Sequence, residues 1–412
     1  MIDYHLLLSV LIGVSILIIL ILKFKIQPFL GLLISSILVG VLAGVAPLEI
    51  MNTVKEGMGS TLGFVAVVVG LGAMFGAILE HSGGAEALAQ YLLKSFGEKN
   101  ASWALMITGF FIAIPVFFDV AFIILIPLVY SLQRKTKKSM LLYAIPLLAG
   151  LAITHAFIPP TPGPVAVADI LNADLGWVIL VGFIVGIPTA IVSGPIFGKF
   201  IASKIFIAAP KKIDEKVVDN FPPISLILSI IATPILLIVL NTLLNSPLGP
   251  SLNFSDKTIT WLQMIGHPFS ALIIANLMAW YLLGIRRGVS KAILSKITSA
   301  SLAPAGIIIL LTGAGGVFKQ LLITTGTGEM LANYFSSIGL SVLLFSFLAA
   351  VCVRILQGSS TVAMITAAGI TSSLITTPLG EFHTALIVIS IAAGASILSH
   401  VNDSGFWLVS NY

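Results

Sequence analysis

The sequence predicts an all-α polytopic membrane protein, an inverted-topology repeat with two re-entrant hairpins and two broken helices. Three observations lead there. The first is composition: of 412 residues, 58% are hydrophobic and only 9% charged, and mean hydropathy is +1.11. Uncharged runs of about 20 residues, enough to cross a bilayer, recur from end to end, which no soluble domain shows. The second is a repeat: residues 70–96 align without a gap on 313–339. Identical at matched positions are Gly70 and Gly313, Gly72 and Gly315, Phe75 and Phe318, Leu79 and Leu322, Gly83 and Gly326, Glu86 and Glu329, Leu88 and Leu331, Ala89 and Ala332, and Tyr91 and Tyr334. Chance similarity between two apolar helices would not preserve a gapless Glu-x-Leu-Ala-x-Tyr. The third is interruption. After each copy comes an apolar run broken by a polar tip, then a run ending in a hydroxyl residue, a histidine and helix breakers. Repeated halves with breaks at matching places are the pattern of secondary transporters.

In chain order, spans fall at 5–22, 27–46, 57–80, 141–172 (broken), 176–202, 223–243, 261–284, 300–323 and 381–409 (broken). No small-residue cleavage site follows Leu6 to Leu22, so the first is a retained helix and not a signal peptide. The stretch Gly83–Phe96 begins at glycine and carries apolar residues at helical spacing, as an amphipathic helix lying along a membrane surface does; Gly326–Ser337 repeats it on the opposite surface. Two more apolar segments, 102–131 and 340–373, are interrupted at Pro115-Val-Phe-Phe-Asp119 and Gln357-Gly-Ser-Ser-Thr361. Charge decides whether these cross or turn back. If both turn back, all 21 basic residues except Lys55, Lys257, Lys319 and Arg354 collect on one face, the positive-inside arrangement. If the first crossed, the Arg134–Lys138 cluster would lie opposite Lys94 and Lys99. Both segments are therefore read as re-entrant hairpins.

On that reading the spans that lead into the two repeated motifs run in opposite directions. Residues 1–202 and 223–412 become inverted repeats, joined by the Lys-rich cytoplasmic linker 203–222. The second half then lacks a counterpart of span 176–202, and symmetry leads us to expect a final helix beyond Tyr412.

Ionisable groups in hydrocarbon are costly, so each is a candidate for function. Arg354 is the lone arginine within an apolar span. Its bland role is snorkelling to the interface; its functional role is to hold a carboxylate substrate. Beside it, Gly358, Ser359, Ser360 and Thr361 offer hydroxyls and free amides at a helix start, an anion seat. Thr161 and Gly163 offer the same in the first half. His155 precedes a stretch with prolines at 159, 160, 162 and 164, where no helix can continue, and the broken backbone must face a wet cavity or protein. His400 repeats it, followed by Asn402 and Asp403. We assign His155 and Asn402 to substrate, and Asp403, Asp119 and His400 to proton coupling. Capping of the following helix is the plain alternative for both aspartates. Asp169 and Asp174, near a helix end, read as structural.

Other classes lack their signatures. There is no Walker lysine motif, no His-Glu-x-x-His and no Gly-x-Ser-x-Gly elbow. The single cysteine, Cys352, permits neither a disulfide nor a thiolate cluster. The charge of +5 resides in short loops between spans, so it marks membrane orientation and not nucleic acid.

Together, residues 72–84, 114–119, 154–164, 357–363 and 399–407 resemble the gluconate permease family of the ion transporter superfamily, and the resemblance covers essentially the whole chain. It implies proton-coupled uptake of gluconate or a related sugar acid across a bacterial inner membrane, without a cofactor. It also implies an elevator-like fold, in which a transport part carries two hairpins against a scaffold, and a homodimer embedded in lipid. Relatives take gluconate, idonate, fructuronate or D-serine, and family members continue for one more helix. Two other classes remain to be set against this. A membrane-embedded enzyme would need His155 and His400 with Asp119 and Asp403 as its reactive set. A channel would not show saturable counterflow.

The hairpin topology makes a direct prediction. In a Cys352→Ser background, cysteines introduced at 134–138 and 211–216 should resist labelling from outside, while those beside Asp256 and Glu381 should react. External labelling at position 137 would overturn it.

Overall fold

A computed structural model describes residues 4–210, 221–246, 255–327, 340–375, 379–399 and 403–410. Among these the regular structure is helical throughout. Among the described residues seven segments are long and apolar enough to cross a membrane: Tyr4–Ile21, Pro47–His81, Leu141–Ile170, Leu175–Ala202, Ile224–Asn245, Pro268–Arg287 and Lys291–Thr324.

We number the helices α1 (Tyr4–Leu22), α2 (Pro28–Leu42), α3 (Pro47–His81), α4 (Gly84–Phe96), α5 (Ala101–Ile112), α6 (Phe118–Thr136), α7 (Leu141–Phe157) and α8 (Pro162–Ile170). They continue as α9 (Leu175–Ala202), α10 (Ile224–Asn245), α11 (Asp256–Gly266), α12 (Pro268–Arg287) and α13 (Lys291–Thr324). The last four are α14 (Val342–Gln357), α15 (Ser360–Ser372), α16 (Glu381–Ala395) and α17 (Ser404–Ser410). The interrupted segments appear as expected: α5 and α6 flank one tip, α14 and α15 the other, and α7 and α8 flank the proline break.

Several boundaries differ from the sequence reading. The third span begins at Pro47, ten residues before the expected start, so α3 has 35 residues and a length of about 52 Å at 1.5 Å per residue. Hydropathy marks where a helix enters lipid; the helix itself continues through the solvated Glu49, Lys55 and Glu56. The same holds for α13, which begins at Lys291. The expected single span 261–284 is two helices. The His267 Nδ1 accepts the Phe269 amide at 3.3 Å, and Pro268 occupies the first helical position, so a new helix starts there. Helix α2 stops at Leu42, four residues early, and with 15 residues falls short of a full crossing. The expected surface helix at 326–337 lies almost wholly outside the described residues.

The chain clusters into two compact units, each drawn from both halves of the sequence. The first comprises Met1–Val69, Pro162–Val178 and Pro304–Asn411; the second comprises Gly70–Thr161 and Ile179–Ala303, with Tyr412. In the first unit α1 pairs with α2, α14 packs on α15 and α16, and α8 packs against α15 and α16. In the second, α5 lies along α7, α6 and α9 also pack on α7, and α10 packs on α12.

Hydrocarbon supplies no hydrophobic force between helices, so small residues that admit close backbones set the contacts. A β-carbon on Gly109 would stand 2.6 Å from the Leu147 carbonyl oxygen, and one on Gly150 would collide with the Met106 carbonyl. Glycines on the long helices α3 and α13 serve the same end. A side chain at Gly76 would strike the Pro115 carbonyl of the first tip, and one at Gly315 would strike Ile365 of α15. On α4, burial raises the pKa of the Glu86 carboxyl, and its Oε2 has no hydrogen-bond partner among the described residues.

Gly150→Ala should therefore destabilise the purified protein by about 1–3 kcal/mol, as overpacking does. An exposed change such as Gly59→Ala, where a β-carbon meets nothing within 4 Å, should leave thermal unfolding in detergent nearly unchanged. Equal effects would show that the α5–α7 contact is not limiting.

Candidate functional site

In the first unit the ends of two interrupted segments meet. Helix α14 stops because Gly358 adopts φ 88° and its amide closes on the Arg354 carbonyl at 2.9 Å. Arg354 thus sits in the last helical turn, where a cation suits the helix dipole. Its Nε donates to the Ile397 carbonyl at 3.1 Å, and its Nη2 donates to Asp403 Oδ2 at 2.6 Å. The Ser399 hydroxyl donates to the same Oδ2 at 2.6 Å, and the Gly405 amide donates to Oδ1 at 3.0 Å. Arg354 is buried and Asp403 largely so, with side-chain exposures of 5% and 14%. The remaining guanidinium nitrogen, Nη1, is buried and has no hydrogen-bond partner among the described residues. A buried donor left unmade costs about 1–3 kcal/mol, so this nitrogen is poised for an acceptor.

The tip beside it divides its groups between structure and availability. The Ser359 amide donates to Gln357 Oε1 at 2.9 Å, and the Ser359 hydroxyl oxygen caps α15 by accepting the Val362 amide at 3.4 Å. The amides of Ser360 and Thr361 open α15 and lack intrahelical acceptors, so anionic groups are favoured there. Gly163, near the start of α8, lies under Met364 of α15, whose methyl leaves no room for a side chain. The hydroxyls of Thr366 and Thr371 on α15 are buried without partners among the described residues.

In the second unit, Thr154 is fully buried and His155 lies in the last turn of α7 with its Nδ1 buried; among the described residues neither the Thr154 hydroxyl nor that nitrogen has a partner. The imidazole stands edge-on to Phe117, with ring centroids 6.4 Å apart. Phe117 is the residue that precedes α6, so Asp119 lies in the first turn of that helix and not at its cap, with an exposed side chain. The Thr161 hydroxyl donates to the Ile158 carbonyl at 2.6 Å, closing the turn at the break. His400 and Asn402 lie outside the described residues.

Asp174 accepts the Trp177 amide at 2.9 Å and caps α9, as a structural residue should. Asp169 interacts with Lys319, whose ammonium donates to the Ile170 carbonyl at the end of α8. The sequence reading puts Lys319 on the outer face and misses this contact, as it misses Ser399 and Gln357. The rule that singles out Arg354 also applies to Lys319, which falls near the end of the expected span 300–323.

Comparison with known proteins gives a consistent picture. A family model described as GntP family permease matches residues 5–412. The chain is 38% identical to the gluconate permease of Pseudomonas aeruginosa over 415 residues, covering 100% of this chain and 91% of that one. It is 39% identical to the low-affinity gluconate transporter of Escherichia coli K12 over 406 residues, covering 97% and 90%. Its fold is similar to that of Neisseria gonorrhoeae MtrF, reported as an antimetabolite efflux pump, with a TM-score of 0.58 at 14% identity, over 88% of this chain and 77% of that one.

The buried pair can be tested by itself. Arg354→Met should strand the Asp403 carboxylate and cost about 3–5 kcal/mol, the penalty for breaking a buried pair. Adding Asp403→Asn should restore part of that stability. A double variant no more stable than Arg354→Met would show that the two side chains are not coupled.

Proposed function

We propose that this chain, which belongs to the GntP family of permeases, carries gluconate or a related sugar acid into the cell across the inner membrane by proton symport. Membership in the family makes it a multi-pass membrane transporter of small molecules and not an enzyme. The observation that carries the finer reading is the Arg354–Asp403 pair with its open Nη1.

Arginine does not lose its proton in proteins, so the switch in such a pair must be the carboxylate. A substrate carboxylate arriving at Nη1 places two anions on one cation in a low-dielectric site. The surplus negative charge is costly, and a proton on Asp403 removes it. Protonated Asp403 gives up its claim on Nη2, and the guanidinium can then grip both substrate oxygens in the bidentate mode that arginine favours. Release of substrate restores the resting pair and drives the proton off. Ser360, Thr361 and the amides at the start of α15 supply donors for the remaining oxygens, and Gly358 adds no side chain beside them. His155, Thr161 and Asn402 remain our assignments for substrate, and Asp119 and His400 for proton handling.

The sequence repeat supports two inverted halves, 1–202 and 223–412, joined by the linker 203–222, with elevator-like transport in a homodimer as part of the same reading. Idonate, fructuronate and D-serine also carry the carboxylate that Arg354 would recognise, and belong in the same screen.

Uptake driven by a pH gradient, measured beside counterflow in proteoliposomes, tests the assignment. Asp403→Asn should abolish accumulation while leaving exchange, and Asp119→Asn should impair both. Arg354→Lys should weaken binding by about 1.5–3 kcal/mol, the worth of a charge-assisted hydrogen bond. If Asp403→Asn still concentrates gluconate against a gradient, the proton is carried elsewhere and His155 is the next candidate.

A further inference from the structure

A cavity of about 710 Å³ lies in the second unit, between the first turn of α10 and the last turn of α12. None of its residues belongs to the site described above. Its walls are Pro223, Leu226 and Leu282, and its polar end carries Ser225, Arg286 and Arg287. Among the described residues no carboxylate lines it. Arg286 is exposed and makes no hydrogen bond or ion pair among the described residues.

The start of α10 adds to the positive character. Pro223 gives α10 no side-chain cap, and the Leu226 and Ile227 amides both turn to the Pro223 carbonyl, at 3.1 and 3.2 Å. The Ile224 and Ser225 amides therefore have no intrahelical acceptor, at the positive pole of a 22-residue helix. Ser229 is nearby, but its hydroxyl proton already goes to the Leu226 carbonyl at 2.9 Å.

Away from this end, α10 and α12 present apolar side chains outward: Leu236 and Leu277 are 65% and 64% exposed, and Tyr281 is 59% exposed. An interfacial tyrosine above exposed leucines is the surface that meets lipid. A concentrated positive site at the end of such a surface matches one ligand chemistry in both parts. A soluble anion would use only the arginines, and a zwitterionic lipid brings its own cation. An anionic phospholipid satisfies the guanidinium groups with its phosphate and the leucines with its chains, as basic pockets between membrane helices do.

We propose that this cavity is a binding site for an anionic phospholipid, its phosphate held by Arg286, Arg287 and the first turn of α10, its acyl chains lying along α10 and α12. Arg286 and Arg287 belong to the basic face that the charge pattern assigns to the cytoplasm, so the inner leaflet supplies the lipid.

The test uses the full chain in mild detergent, with thermal unfolding followed in the presence of phosphatidylglycerol, phosphatidylcholine or inorganic phosphate. Phosphatidylglycerol should raise the midpoint by several degrees more than phosphatidylcholine, and inorganic phosphate should do nothing. The double variant Arg286→Gln/Arg287→Gln should lose that increment and keep its midpoint in phosphatidylcholine. Lys94→Gln/Lys99→Gln, on the same basic face, should keep the increment. Should the double arginine variant fold poorly, Arg286→Gln alone changes an exposed side chain and carries the comparison. Native mass spectrometry of the wild type should show retained anionic lipid. The proposal is overturned if phosphatidylcholine or phosphate alone stabilises equally, if the lysine variant loses as much as the arginine variant, or if no anionic lipid is retained.

Discussion

Hydrocarbon offers no hydrogen bonds, so a helix that stops inside a membrane must find partners for its end groups within the protein. This chain stops helices near 113–117, 158–161 and 358–359 and again after Ala395, and much of its structure answers that demand. Gly358 closes α14 onto the Arg354 carbonyl, and Gln357 bends its side-chain amide back to the next free N–H. Thr161 serves the Ile158 carbonyl, Lys319 the Ile170 carbonyl at the end of α8, and Arg354 the Ile397 carbonyl. Asp403 takes the Gly405 amide as the following helix begins. The groups that complete the backbone are thus largely those with chemistry to offer. A break satisfied by ionisable side chains is also a place where charge can be changed.

That double duty explains why a buried ion pair stands where apolar packing would give more stability. Buried pairs are weak stabilisers against well-packed hydrophobic substitutes. The Arg354–Asp403 contact uses one guanidinium nitrogen for the carboxylate, one for a main-chain carbonyl, and leaves the third without a partner among the described residues. An arrangement selected for stability alone would fill all three. The glycines have a related economy of shape. Gly76 and Gly315 let the first tip and α15 approach the long helices α3 and α13, so the interruptions are braced by continuous rods and not by lipid.

Much of this was legible in the sequence, and the limits follow physical lines. Prolines 159, 160, 162 and 164 and the Gly358 tip announce their breaks because the chain has no other conformation to adopt. Arg354 stands out because charge in an apolar run is rare. The polar first third of α3 was hidden, since hydropathy reports partition into lipid and not helicity; Glu49, Lys55 and Glu56 lie on a helix that lipid need not cover. The start of α12 was hidden in a His-Pro pair whose capping role depends on local geometry. Ser359 looks like a ligand residue and acts as a cap, because the same oxygen suits both. The pairing of Arg354 with Asp403 is a tertiary fact, set by how α14 and the end of the α16 segment pack, and no local pattern carries it. The two compact units likewise cut across the two sequence halves, since order along the chain does not dictate order in space.

The single-cation character of the site has an electrical corollary. In the proposed cycle one proton neutralises Asp403 for each carboxylate that Arg354 receives, and the permanent charge of the arginine never changes. The loaded and empty sites then carry the same net charge. Moving either across the bilayer displaces no net charge through the field, where each elementary charge would exchange about 2.3 kcal/mol per 100 mV. Accumulation by such a carrier is governed by the difference in acidity between the two compartments, and the voltage across the membrane has no grip on it.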